Sequence, residues 1–169
     1  RIAISAAIAL PALTQDPIER AELAAISALQ WQPATTNHPS SRLVRAIADR
    51  EIHLSIRVHP ESIVFEVDAS RDEFEFAMQF LTELLRSARI EPAALDRWQV
   101  HALQSDAAAR TEPNRAALRA FERCVVPAYA EWAGGLDGEA IRTVSVASVQ
   151  SRLNALLADA PLTVAIAGD

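Results

Sequence analysis

Residues 52–68 read Ile52-His53-Leu54-Ser55-Ile56-Arg57-Val58-His59-Pro60-Glu61-Ser62-Ile63-Val64-Phe65-Glu66-Val67-Asp68. Apolar and polar positions alternate twice, with a turn between them. Ile52, Leu54, Ile56 and Val58 share one side of an extended chain, and His53, Ser55 and Arg57 the other. Ile63, Phe65 and Val67 alternate in the same way with Val64, Glu66 and Asp68. His59-Pro60-Glu61-Ser62 is the turn, so the stretch predicts two antiparallel strands, each buried on one side.

Helical signals lie on both sides of this hairpin. Upstream, Ile2–Leu10 is apolar and carries Ile residues, and Pro11 ends it as a buried strand. Asp16-Pro17 then opens a helix to about Trp31, with Leu23, Ile26 and Leu29 inward. A turn at Asn37–Ser41, in which His38 is read as a local hydrogen-bonder, leads into a short helix closing near Arg50. Downstream, Ser70 and Glu73 have the spacing of a capping box. The helix they open carries Phe74, Met78, Leu81 and Leu85 and breaks near Arg89. Glu91-Pro92 starts another, with Leu95, Trp98 and Leu103, reaching toward Arg110. Ala116–Val126 is a third helix, and Tyr129–Asp137 is a loop containing Gly134-Gly135. Val146–Leu157 is an amphipathic helix with Val149, Leu153 and Leu156 inward, and Leu162–Ala167 is a closing strand. This order predicts an α+β domain, with helices on one face of a mostly antiparallel sheet. The expectation is a single domain over 1–169, part of a longer chain because Arg1 stands where Met would.

Composition narrows the function classes. The chain has 169 residues, half of them hydrophobic, which suits one sizeable core. The net charge is -6 with no basic tract, so nucleic acid is not an expected partner. The apolar start is too short to span a bilayer, so no membrane partner is expected either. A lone cysteine, Cys124, excludes a disulfide scaffold and is read as a buried, inert thiol. Cytoplasm and periplasm both remain open. The four histidines are His38, His53, His59 and His101. None forms H-x-x-E-H or H-E-x-x-H, the spacing that brings two imidazoles and a carboxylate to one zinc ion. No nucleophile elbow or phosphate-binding glycine motif occurs.

Several stretches together resemble the insulinase (pitrilysin) family. They are Phe65–Ser70, the helix Phe74–Arg86, the linker Ser87–Pro92 leading to Leu95-Asp96-Arg97, the segment Thr143–Gln150, and the final Leu162–Asp169. The resemblance implies that Ile18–Trp31 matches the helix that carries H-x-x-E-H in active members, yet it holds no histidine. It implies a third ligand, a glutamate, near Gln104 and Ser105, and neither is a carboxylate. Ser41-Arg42-Leu43 is similar to an element of the family's non-catalytic half. That likeness implies a substrate-binding role for Arg45, and the family's tyrosine position falls on Ile52, or with a one-residue slip on His53, which is then the second substrate-binding candidate.

The expected function is therefore a non-catalytic domain or subunit of an insulinase-type zinc peptidase, inactive alone. It would form part of a peptide-binding chamber and pack on a catalytic domain or a homo- or heterodimer partner. Catalytic residues, metal ligands and cofactor are expected to be absent here, with zinc only in the catalytic partner. The alternative expectation is a structural or binding domain of the same fold in a multi-subunit assembly.

Overall fold

The computed structural model describes residues 1–10, 16–125 and 135–168. Strand β1 (Ile2–Ala9) is followed by helix α1 (Pro17–Ala25), which continues as a 3-10 turn over Ile26–Gln30. Helix α2 (Ser40–Ala48) precedes the hairpin of β2 (His53–Val58) and β3 (Ser62–Ala69). A 3-10 turn, Arg71–Glu73, leads into α3 (Phe74–Ser87). Then come α4 (Pro92–Thr111), α5 (Pro113–Val125), α6 (Gly138–Thr143), α7 (Val146–Asp159) and β4 (Leu162–Gly168). Of the expected loop Tyr129–Asp137, residues 129–134, with Trp132, lie outside the described residues, as do Pro11 and Pro127.

The four strands form one antiparallel sheet in the order β2-β3-β1-β4. The hairpin register pairs Leu54 with Val67 and Ile56 with Phe65, so both apolar rows face the same side. β1 adds Ile4, Ala6 and Ile8 to that side, each 2% exposed or less. Against this face pack Ile26, Leu29, Leu81 and Leu84, with Trp98 of α4 and Val149 and Leu153 of α7 in the same core. Side chains of this size each contribute about 1.5–3 kcal/mol when buried, so this shared cluster drives folding. The α+β architecture follows the strand and helix periodicities read from the sequence.

Several local expectations are corrected. The first helix is not continuous to Trp31: Asp16 caps it through a bond from the Ile18 amide, but the chain tightens to 3-10 geometry at Ile26. The capping box at Ser70 does not form, since no side-chain bond caps that turn. Glu73 pairs instead with Arg50, at 3.3 Å, and the Arg50 guanidinium lies 4.2 Å from the centre of the Phe76 ring. An ion pair and a cation–π contact together hold Arg50 where a cap was expected. Within α3 the buried positions are Ala77, Phe80, Leu81 and Leu84, while Met78 and Leu85 pack only at the margin. Cys124 is exposed, not buried. Among the described elements α5 packs chiefly on α4, and Leu118, Phe121 and Val125 are more than half exposed. The six-residue helix α6 has no counterpart in the sequence reading.

β4 has an unusual surface. Leu162, Val164 and Ile166 stand in register with Ile8, Ala6 and Ile4, which places them on the core-facing side. They are nevertheless 50%, 47% and 53% exposed.

Candidate functional site

Among the described residues, three of the polar contacts that tie the helical layer together involve α7 or α4. Two involve glutamines that act as substitutes for backbone. The Gln150 carboxamide on α7 accepts from the Ile90 amide at 2.8 Å and donates to the Ala88 carbonyl at 3.0 Å. The extended link between α3 and α4 pairs its other side with backbone, the Arg89 amide donating to the Ala34 carbonyl at 2.8 Å and the Thr36 amide to the Ser87 carbonyl at 2.9 Å, so Gln150 satisfies the side that this pairing leaves open. Gln99 on α4 donates to the carbonyls of Ile141 and Val144, at 3.1 and 3.0 Å, where α6 ends. These carbonyls are among those a helix terminus leaves without a partner.

The third contact lies on α1, the helix that the family resemblance matches to the zinc-binding motif. Its two carboxylates, Glu19 and Glu22, both accept from Arg152 of α7, at 2.9 and 3.1 Å. Burial alone would lower the Arg152 pKa, but the hydrogen bonds and charges of Glu19 and Glu22 outweigh it and raise the pKa. The acidic groups of this helix are therefore committed to holding α7. Among the described residues no group of three or more His, Cys, Asp and Glu is arranged to hold a metal ion. Gln104 and Ser105 are exposed on α4.

A second polar cluster joins the α1–α2 connection to α3. Glu83 Oε1 accepts from the Thr35 hydroxyl at 2.7 Å and lies 2.8 Å from His38 Nδ1. The His38 amide donates to the Thr35 hydroxyl at 3.0 Å, in keeping with the local role read for His38. Burial raises the Glu83 pKa, but bonds from Thr35, His38 and Asn37 and the His38 charge outweigh it, leaving a net lowering. An isolated pairing of Thr35 with Ala88 lies beside the cluster.

Arg45 and His53 are placed apart in surroundings of different kinds. Arg45 projects from α2, its side chain 84% exposed, with Asp49 one turn on at 3.8 Å. It lines an open groove of about 470 Å³ with Trp31, Gln32, Ser41, Glu91 and Arg97. Glu91 accepts from the Ser40 amide at 3.3 Å, so a distant carboxylate caps α2 in place of Pro39, which has no cap to offer. Trp31 is braced from behind by His101, ring centres 5.2 Å apart. His53 does not line this groove. It is exposed at the start of β2, opposite Asp68, on an edge strand of the sheet. On the same side of that strand, Arg57 and Ser55 both engage Glu66. The sequence reading missed Trp31, Glu91 and Arg97 as groove residues. They come from three parts of the chain, and no local pattern marks them.

The sequence matches no protein-family model and no curated protein. Its structure is similar to solved ones. The inactive peptidase domain of a zinc-protease-type protein from Bordetella parapertussis superposes with TM-score 0.69 at 16% identity, over 99% of this chain and 91% of that one. This chain has the fold of an inactive M16 peptidase domain. M16 denotes the insulinase type. The peptidase M16 inactive domain from Pseudomonas fluorescens gives TM-score 0.70 at 14% identity, over 98% of this chain and 40% of that one. The ferredoxin protease FusC, crystallised with Arabidopsis ferredoxin, gives TM-score 0.67 at 15% identity. That match covers 98% of this chain but only 18% of FusC, so the chain spans a minor part of that protease.

Proposed function

We propose that this chain is a non-catalytic domain of an M16-type zinc peptidase, contributing a wall of the peptide chamber and packing on a catalytic H-x-x-E-H domain. The observation that carries the reading is the superposition on the inactive Bordetella domain, almost end to end in both chains. The α1 helix supports it: it has no histidine, and its carboxylates are held by Arg152. FusC, a protease of related fold, was crystallised with a protein, ferredoxin, which supports a protein or peptide as what the assembled enzyme handles.

Two surfaces suit the two tasks. β2 is an edge strand, and an extended peptide can add to such an edge through backbone hydrogen bonds without any catalytic side chain. Under this reading His53 lies beside the added strand, and Arg45 meets the peptide from α2. The uncovered apolar row Leu162, Val164 and Ile166 supports a partner domain at the opposite edge. The expected partner is a catalytic domain in the same or another chain, or a dimer subunit, and zinc belongs to that partner.

The test is to mix the purified protein with the H-x-x-E-H chain or domain encoded beside it. Sedimentation should show a stable complex, and peptide cleavage by the mixture should exceed that of the catalytic part alone. A catalytic part with full activity and no complex would remove the chamber role.

A further inference from the structure

We infer that the groove between Trp31, α2 and the start of α4 is a carboxylate-binding subsite that takes an acidic group of an extended peptide. The inference rests on the chamber reading above and names the chemistry its substrates would present.

Arg97 is exposed in the groove wall and forms no ion pair or hydrogen bond among the described residues. The protein has 22 acidic residues against 16 basic ones, so a cation in a concave position is not unpaired for want of carboxylates. Arg45, the second cation, has only Asp49 at 3.8 Å, and both side chains are well over half exposed. Such a pair contributes little and is readily exchanged for a better acceptor. Among the described lining residues the one acid, Glu91, is engaged with the Ser40 amide at the start of α2.

The lining therefore carries two guanidinium groups and one carboxylate, which already accepts from the Ser40 amide. A guanidinium presents paired N–H donors that match the two oxygens of a carboxylate. The Ser41 hydroxyl and the Gln32 carboxamide supply further hydrogen-bonding groups, and Trp31 gives an apolar wall for the methylenes of a bound side chain. A groove of about 470 Å³ is large enough for one side chain or a chain terminus. A glutamate or aspartate side chain and a C-terminal carboxylate share this chemistry.

Three labelled hexapeptides separate these sources by fluorescence anisotropy: one with an internal Glu and an amidated terminus, its internal-Gln amide counterpart, and the Gln peptide with a free terminal carboxylate. At least one carboxylate peptide should bind about tenfold more tightly than the Gln amide, as a charge-assisted pair allows. Arg97→Gln should abolish that preference without changing the far-UV spectrum. Equal binding of all three peptides, or a preference unchanged in Arg97→Gln, would overturn the inference and leave the chamber reading intact. Glutarate gives an arm independent of peptides. It should shift the Trp31 indole N–H resonance, assigned with Trp31→Phe, and do so far less in Arg97→Gln. No shift at all would overturn the carboxylate site. A glutarate shift with no binding of any peptide would keep the carboxylate site and overturn its assignment to peptides.

Discussion

Arg152 of α7 and Glu22 of α1 are joined through two guanidinium nitrogens to one carboxylate oxygen, at 3.3 and 3.1 Å. The Glu22 side chain is only 13% exposed, so these hydrogen bonds stand largely in place of water. Arg152→Ala is expected to destabilise the fold by about 1–3 kcal/mol, because it leaves a largely buried carboxylate without its cation. Urea denaturation measures this. Arg152→Lys should recover only part of the loss, since one ammonium cannot reproduce the fork that reaches both Glu19 and Glu22.

Gln150 completes the pairing of the link between α3 and α4 on the side that Ala34 and Thr36 do not reach. Gln150→Leu strips a partner from the Ile90 amide and the Ala88 carbonyl together, and both residues are buried. The expected cost is about 1–3 kcal/mol. Gln150→Glu keeps an acceptor for Ile90 but removes the donor to Ala88, so it should also destabilise. Amide exchange at Ile90 should speed up in Gln150→Leu and much less in Gln150→Glu.

Glu83 gives a pH dependence with a defined sign. Its carboxyl is held below the ordinary value of 4.5 in the fold, so folding favours the charged form. The stability this contributes is fully present above about pH 4.5 and is lost as pH falls through the lower, folded pKa. Glu83→Gln should therefore be less stable than the parent at pH 6–7, with the gap narrowing below about pH 4.5. Thermal melts from pH 3 to 7 would reveal this, and a gap that widened on acidification would contradict it.

How far the sequence could be read depended on the range of each interaction. β2 and β3 alternate strictly, and each alternation is local, so Leu54, Ile56, Phe65 and Val67 could be placed on one face before the fold was known. Asp16-Pro17 and the Val149, Leu153, Leu156 stripe were legible for the same reason. The capping box at Ser70 was misleading because Arg50, 23 positions away from Glu73, competes for the same carboxylate. Cys124 sits in an apolar run, but burial depends on what covers α5, and no periodicity reports that. α6 is too short to show a helical period. In the candidate site, the lack of a histidine on α1 was visible, and so was Arg45. Arg97, Trp31 and Glu91 became groove residues only through packing between distant segments. The clasp of Arg152 on Glu19 and Glu22 spans 130 residues or more and left no trace in the local pattern.

The central claim is that this chain carries the peptidase fold without its metal chemistry. The direct measurement is zinc content by mass spectrometry on the purified protein after exposure to excess zinc and gel filtration, with a peptidase assay on the same sample. The account predicts zinc far below one ion per chain and no cleavage that a chelator abolishes. One tightly held zinc per chain, together with chelator-sensitive cleavage by the protein alone, would contradict it.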